Sequence, residues 1–495
     1  MTYQFDSESE LIFSALLKNL NSDNKVYMVG GMVRDILMIR PVHDIDLSFC
    51  GNVRDYAKRV ADYLEASFFM LNKKFQTARI IYNSQTGKKR WIDIVATREN
   101  NILEDLAFRD FTVNAIAIDL QDRTKIIDPL NGAIDLKKKL LQIGRPDSLE
   151  NDPVRILRAI RLAVQFDWKI SSTTIHAIKS SAAKLIDVTA ERKRDELFRI
   201  FDLPNSSKAI RILAHLNLLE YCFPGFNGGV NLESTLLLDQ AIANIQKFSQ
   251  FDQLIIGTYS LEGAMDFRQG ELVMSLGRFR EPLAVYFQSN IHQDRSLKSL
   301  VIFCVLNNLI IQNSSSIQNE QTTIDQKPGK LEKLVDNAAK ELVLSTAEKK
   351  WINDFYAGIE MFASIIQQDI NLNPELPFLF FSRSKNSGVA ACLIALTDAL
   401  VRDEFTLNET NWQKSLQLSR YFLDAYFHHY DEWINPPTFI NGHDVMKILN
   451  IQDGKKIGWW INLLRIETIN GNIKNHKDAA KFLMNHKDKL NSRLN

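Results

Sequence analysis

A chain of 495 residues, 45% hydrophobic and 24% charged, has the composition of ordinary globular protein, which excludes disordered, collagen-like and coiled-coil classes. At roughly 150 residues per domain the length predicts about three or four domains. Sixty Lys and Arg against 59 Asp and Glu leave a net charge of +1, so any nucleic-acid partner has to be held by a local patch. Cys50, Cys222, Cys304 and Cys392 are scattered without metal-ligand spacing, the pattern of reduced thiols in the cytoplasm. Met1–Glu10 is acidic and polar, unlike a signal peptide, and the longest apolar runs, such as Leu300–Leu306, fall far short of a membrane span. The expectation is a soluble, cytoplasmic protein.

Along the chain, Ser7 and Ser9 precede a helix predicted over Glu10–Leu20, with acids at its start. Lys25–Val29 reads as a strand running into Gly30-Gly31 and a short helix, Met32–Met38. Asp44–Cys50 is a second strand and Val53–Ala66 a helix; Ala78–Tyr82, Trp91–Ala96 and Val113–Leu120 are further strands. This mixture predicts a compact α/β head over the first 130 residues or so. Strand signals then fade, and helical periodicity dominates from about Asp152. The segment 312–329, rich in Ser, Asn, Gln and Thr, predicts a mobile loop or linker. A further break falls at Asn435-Pro436-Pro437, and residues 438–495 carry ten Lys and Arg against five Asp and Glu, a locally basic tail. No internal repeat is found.

Asp44-Ile45-Asp46-Leu47 is the most informative tetrapeptide. On a strand, residues two apart share a face, so both carboxylates point one way and Ile45 and Leu47 the other, toward the core. Adjacent like charges repel, and a divalent cation relieves them. An isolated Asp-x-Asp is most often a polar strand face. Here it follows Val29-Gly30-Gly31-Met32-Val33-Arg34-Asp35, a strand–Gly-Gly–helix junction. Glycine lets the backbone approach a phosphate, the helix start offers free N–H groups, and Arg34 adds a planar cation. The combination predicts a triphosphate cradle, Gly30, Gly31 and Arg34, beside a two-metal carboxylate site.

These residues, with Arg109-Asp110-Phe111-Thr112-Val113-Asn114-Ala115, Ile127-Asp128-Pro129-Leu130-Asn131-Gly132, Asp152-Pro153-Val154-Arg155 and Glu191-Arg192-x-x-x-Glu196, resemble the polymerase-β-type nucleotidyltransferases of the bacterial tRNA CCA-adding and poly(A) polymerase group, class II. Residues 25–200 are covered densely, and Ile440–Asp444 with Gly454–Gly458 echo the family's tail. The resemblance implies an α+β fold: a nucleotidyltransferase head (1–136), then an all-helical neck (137–204), body (205–435) and basic tRNA-binding tail (436–495). It implies Mg²⁺ on Asp44 and Asp46, CTP and ATP as substrates, the tRNA 3′ end as acceptor, and nucleotide contacts from Arg109 and Asp110. Asp93 reads either as a third catalytic carboxylate or as an ordinary strand-end Asp. Arg109 and Asp110 have a structural salt bridge as their competing reading.

At about 100° per residue, Asp152, Arg155, Arg158 and Arg161 fall on one helical arc and Pro153, Ile156, Leu157, Ile160 and Val164 on the other. A solvated face is the bland reading of three such arginines. A carboxylate accepts from an exocyclic amino group and a guanidinium donates to ring nitrogen or carbonyl oxygen. Asp152 and Arg155 therefore have the chemistry to read the base of CTP or ATP, the role the resemblance implies. Arg158 and Arg161 support that pair or reach the triphosphate. Glu191–Glu196 reads as a charged helix, either closing the nucleotide pocket or a plain surface helix.

Three departures from the family pattern stand out. Phe108 occupies the place of the first arginine of Arg-Arg-Asp, Asn151 that of a glutamate before Asp152, and only Glu99–Glu104 separates the strand end from Asp105. Relatives that add the terminal A carry a longer flexible loop there, so the pattern resembles enzymes that stop after two Cs. A poly(A) polymerase shares nearly all these motifs, and a catalytically silent RNA-binding protein on the same fold is the rival from another class. His428-His429 and His443-Asp444 lack metal-ligand spacing, and Phe378, Phe380 and Phe381 are expected to pack a helical core.

Overall fold

The first helix, α1 (Ser7–Lys18), starts where the Asp6 carboxylate accepts from the Ser9 amide at 2.7 Å, so the cap is Asp6 and the helix begins three residues before the predicted start. The structure is a computed structural model and describes residues 5–42, 44–72, 76–84, 87, 89–223, 232–256, 267–292, 295–316, 330–368, 372–406 and 409–491.

The head is built on a seven-stranded sheet. Its strands are β1 (Lys25–Val29), β2 (Ile45–Cys50), β3 (Ser67–Asn72), β4 (Thr77–Asn83), β5 (Lys89–Ala96), β6 (Ala117–Asp119) and β7 (Ile126–Ile127), in the order β3-β4-β5-β2-β1-β6-β7. β2 pairs parallel with β5 and antiparallel with β1, and β3, β4 and β5 form an antiparallel meander. Alternation decides the two faces. Ile45, Leu47, Ala78, Ile80, Ile92 and Ile94 are buried with Ile12, Phe13, Tyr56 and Val60 of α1 and of α3 (Val53–Tyr63) in one core. Asp46, Arg79 and Asp93 sit on the other face.

Several boundaries differ from the sequence reading. Helix α2 (Gly30–Leu37) begins at Gly30 itself, so both glycines lie within its first turn rather than before it. Asp44 lies in the bend before β2. β3 was missed because Ser67–Asn72 lies at the sheet edge with both faces largely open, which blurs the alternation. Val113–Leu120 splits into a 3₁₀ turn, Thr112–Asn114, and the short β6.

Beyond the sheet come α4 (Ile102–Ala107), α5 (Gly132–Lys138), β8 (Leu140–Leu141), α6 (Ser148–Asn151), α7 (Val154–Gln165), β9 (Lys169–Ile170), α8 (Ser172–Ser181) and α9 (Ala190–Phe201). The short parallel pair β8–β9 is a departure from an all-helical neck. The Asp128-Pro129-Leu130-Asn131-Gly132 motif serves the fold: both Asp128 oxygens accept from the Gly132 and Ala133 amides, at 2.7 and 2.9 Å, starting α5. A Cβ on Gly132 would lie 2.0 Å from the Thr112 carbonyl oxygen.

The chain forms two compact units, Met1–Leu197 with Ile212–Cys222, and Phe198–Arg211 with Phe223–Asn495. The second is helical, with only the Asn290–His292 and Arg295–Ser296 pair as strands among the described residues. Phe378, Phe380 and Phe381 are buried as expected, with Phe380 stacked on Phe422 at 4.2 Å. The tail helices Gly442–Leu449, Gly454–Ile469 and His476–Asn491 share a small core around Trp460, Val445 and Leu483. Of the polar segment 312–329, residues up to Ser316 continue the helix Leu297–Ser316, and 317–329 lie outside the described residues. All four cysteines are free. No helix among the described residues is long and apolar enough to cross a membrane.

Candidate active site

The parallel register of β2 and β5 sets Asp46 directly beside Asp93. Asp44 is exposed at the start of β2, and Asp46 is half-buried. Burial, then the charge of Asp93 and, more weakly, that of Asp44, push the Asp46 carboxyl up to about 6, against a partial offset from Arg109 and Arg34. Asp93 has a fixed partner: Arg79 donates to it through Nε and Nη2, both at 2.7 Å. No group of three or more His, Cys, Asp or Glu among the described residues could hold a metal ion. Asp44 and Asp46 are two carboxylates near one another in sequence, Asp46 lining the cavity described below. Carboxylate oxygens are hard donors of the kind a divalent ion takes, and a cation beside Asp46 would offset what raises its carboxyl.

Gly30 has φ +68°, and a Cβ there would meet Arg109 Nη1 at 2.9 Å and Asp46 Oδ2 at 3.8 Å. Only glycine fits this junction. Val29 caps α2 in an extended conformation with no side-chain hydrogen bond, so no side chain competes for the first-turn N–H groups. A cavity of about 250 Å³ opens here, lined by Val29, Gly30, Gly31, Asp46, Leu47, Asp93, Val95, Arg109, Asp110, Asn114 and Arg158. Arg109 is held by Asp105 at 3.1 Å and by the Ser48 hydroxyl at 3.2 Å, while its buried Nε has no partner.

Arg34 is buried beneath the cradle rather than standing free. Its Nε and Nη2 donate to Asp35 at 2.9 and 3.1 Å, Nη1 donates to Asn114 at 3.1 Å, and its guanidinium stacks on Phe166 at 4.5 Å. From there one polar network runs to α7. Asn114 Nδ2 donates to Asp110 Oδ1 at 3.0 Å, and Arg158 Nη1 to Asp110 Oδ2 at 3.1 Å. Arg158 and Arg161 then donate to opposite oxygens of Glu196, at 3.3 and 2.8 Å. Burial alone would raise the Asp110 carboxyl. Arg158, the Asn114 hydrogen bond and Arg155 outweigh it and hold the group below the usual carboxylate range. Arg161 also donates to Gln165 at 3.2 Å and does not line the cavity.

The base-reading arc is interrupted. Asp152 lies between α6 and α7 with φ −145°, outside the helix, and Pro153 is the cap of α7 rather than a first-turn residue. Asp152 Oδ2 accepts from Arg192 Nη2 at 2.9 Å and lies 3.5 Å from Arg155 Nε, while its buried Oδ1 has no partner. Arg155 is oriented by the Ser148 hydroxyl at 2.7 Å. Asn151, which stands where a glutamate was expected, donates instead to Asp147 at 3.0 Å, and Asp147 is gripped by both arms of Arg145. Arg145 and Arg98 each stack on the Phe108 ring at 4.3 Å. Phe108 thus ties the short connection Thr97–Asn101 to the segment before α6.

Comparison with known proteins shows what the chain is similar to. The family described as the Poly A polymerase head domain matches residues 26–142, and that described as a probable RNA and SrmB-binding site of polymerase A matches 167–228. A CC-adding tRNA nucleotidyltransferase of Geobacter sulfurreducens is 25% identical over 461 residues, 92% of this chain and 91% of that protein. Both matches and this relative make the chain similar to CCA-adding tRNA nucleotidyltransferases and poly(A) polymerases. A CCA-adding enzyme of Lactobacillus johnsonii is 31% identical over 230 residues, 44% of this chain and 57% of the relative. The solved complex of a CCA-adding enzyme with ATP shares the fold at 21% identity, with a TM-score of 0.62 over 97% of this chain and 96% of that one. The family is one of nucleotidyltransferase enzymes that in general use a divalent metal.

Within the family's motifs, sequence reasoning passed over several residues that build the site. Asp35 and Asn114 were quoted in motifs without a role, yet they hold Arg34 and Asp110. Arg192 was likewise quoted without a role, and Arg79 and Phe166 lay in no motif. Glu196 is 4% exposed, so the helix Glu191–Glu196 is not a plain surface helix. The signal available was Glu196, five residues before the end of α9 and directly before the apolar Leu197-Phe198.

Proposed function

We propose that this chain adds CMP from CTP to the 3′ end of tRNA lacking its CCA terminus and stops before the terminal A. The observation that carries the chemistry is Asp46 beside the Gly30 turn and in the cavity with Arg109 and Asp110, with Asp44 two residues before it. In the reaction the tRNA 3′-hydroxyl oxygen forms a bond to the α-phosphorus as the bond to pyrophosphate breaks. Asp44 and Asp46 would hold Mg²⁺, which lowers the cost of charge on the attacking and leaving oxygens when bound. Arg109, with an unpartnered buried Nε, and the first-turn amides at Gly30 and Gly31 receive the triphosphate. Arg34 and Asp110 act by positioning, through Asn114. Asp152 and Arg155 read the base, Asp152 accepting through its free Oδ1. Arg158 and Arg161 hold α7 in place through Glu196. Asp93, paired with Arg79, orients Asp46 by its charge and flanks the acceptor end.

Stopping at CC is supported by the short stretch Glu99–Glu104, whose last three residues already belong to α4 and where the resemblance implies a longer loop in A-adding enzymes, and by likeness over nine tenths of its length to a CC-adding relative. Extension of tRNA ending before CCA, with CTP alone, ATP alone and both, tests this. Two Cs and no A are expected; long A tails would identify a poly(A) polymerase, and no product from any mixture would leave a silent RNA-binding protein.

A further inference from the structure

The sheet order places the triphosphate cradle, on β1 and α2, on one side of Asp46, and β5, β4 and β3 on the other. The nucleotide occupies the first side, so the acceptor strand has to reach the carboxylates over the second. The open face there is not the polar surface expected of a solvated sheet. Trp91, Phe69 and Leu71 are 40%, 42% and 46% exposed. Register ties them to the site. Phe69 pairs with Arg79, Arg79 with Asp93 and Asp93 with Asp46, one row across four strands. Ile45 pairs with Ile92, so Trp91, one residue earlier on β5 and two before Asp93, lies at the end of the ladder where Asp44 enters β2. Arg79 packs over the Trp91 ring at 5.5 Å.

We infer that Trp91 and Phe69 form a stacking platform for the unpaired 3′-terminal nucleotides of the RNA acceptor, leading them across β5 to Asp44 and Asp46. This rests on the proposed transfer to tRNA. An exposed Trp91 ring beside the Arg79 guanidinium, with exposed Phe69 in the row that runs through Arg79 and Asp93 to Asp46, suits unpaired bases, which stack on such rings whatever their identity. A stack beside Asp44 holds the last base while its 3′-hydroxyl faces the α-phosphate. Phe69 lies two strands further out from Trp91 and takes a nucleotide upstream.

The test uses the full-length protein and tRNA ending before CCA, with KM for tRNA and for CTP measured separately. Trp91→Ala is expected to raise KM for tRNA about tenfold, within the range for losing one base–aromatic stack, and to leave KM for CTP within about twofold. Trp91→Phe should restore most of the affinity, and Phe69→Ala, on another strand, should weaken binding of tRNA ending after CC, which carries further unpaired nucleotides, to a lesser degree. tRNA trimmed of its unpaired 3′ nucleotide should bind wild type and Trp91→Ala alike. Unchanged tRNA affinity in Trp91→Ala and Phe69→Ala, or equal loss with trimmed tRNA, overturns the platform while leaving CMP transfer standing. So does a wild-type dimer in sedimentation that Trp91→Ala dissolves, which would make the face a contact between copies. Wild type that binds tRNA but adds nothing overturns both readings.

Discussion

Replacing Asp46 by Asn should stabilise the protein when no divalent ion is present. The folded state holds the Asp46 carboxyl near 6 against an ordinary 3.8, a gap of about 3 kcal/mol at 1.36 kcal/mol per tenfold. Relaxation of the half-buried site reduces this to something on the order of 2 kcal/mol. The sign follows from linkage. Below 3.8 the group is protonated in folded and unfolded chains alike and costs nothing. As pH rises from 3.8 through about 6 the unfolded chain ionises freely while the folded chain resists, and the full penalty is present above 6. In chelator, the wild type should therefore gain stability relative to Asp46→Asn as pH falls from 8 to 5. Millimolar Mg²⁺ at pH 8 should stabilise the wild type and not the variant, by mass action on the folded state. Denaturant titration at both pH values, with and without Mg²⁺, reads all of this. A variant no more stable than wild type at pH 8 in chelator would refute the account of Asp46 as a strained, cation-seeking carboxylate.

Glu196→Gln removes a buried charge that two guanidiniums share; since Arg158 remains partly open to solvent, a loss of about 2–3 kcal/mol is expected in denaturant titration, and an unchanged midpoint would mean that the network bears no stability. Gly30→Ala should keep the fold but lower kcat/KM about a hundredfold for every nucleotide, because a Cβ at 2.9 Å displaces Arg109; wild-type kinetics would place the triphosphate elsewhere. Arg155→Ala should degrade discrimination among CTP, ATP, UTP and GTP by about 1–3 kcal/mol while shifting triphosphate affinity less. Equal losses for all four nucleotides would make Arg155 a phosphate ligand.

The legible parts of this site are those written in local spacing. Asp44 and Asp46 around Ile45 and Leu47 announce their own two faces, because a strand alternates, and the observed burial follows that alternation. The Gly-Gly junction announces itself because positive φ restricts the residue. Partnerships across sequence were not legible. Arg34 looks like a free cation from its neighbours, but Asn114, eighty residues away, and Phe166 enclose it. Asp93 looks unencumbered until β4 brings Arg79 alongside. The helical wheel over 152–164 assumed one helix, whereas Pro153 has no N–H to continue α6 and the chain restarts at Val154. That break is what leaves one oxygen of Asp152 without a protein partner.

The central claim is that Asp44 and Asp46 drive CMP transfer to the tRNA 3′ end. The most direct measurement is single-nucleotide-resolution extension of tRNA ending before CCA, with CTP and ATP together, by wild type and Asp44→Ala. The account predicts two added Cs for wild type, no third nucleotide, and no extension by Asp44→Ala despite undiminished tRNA binding. Extension by Asp44→Ala at the wild-type rate would contradict it.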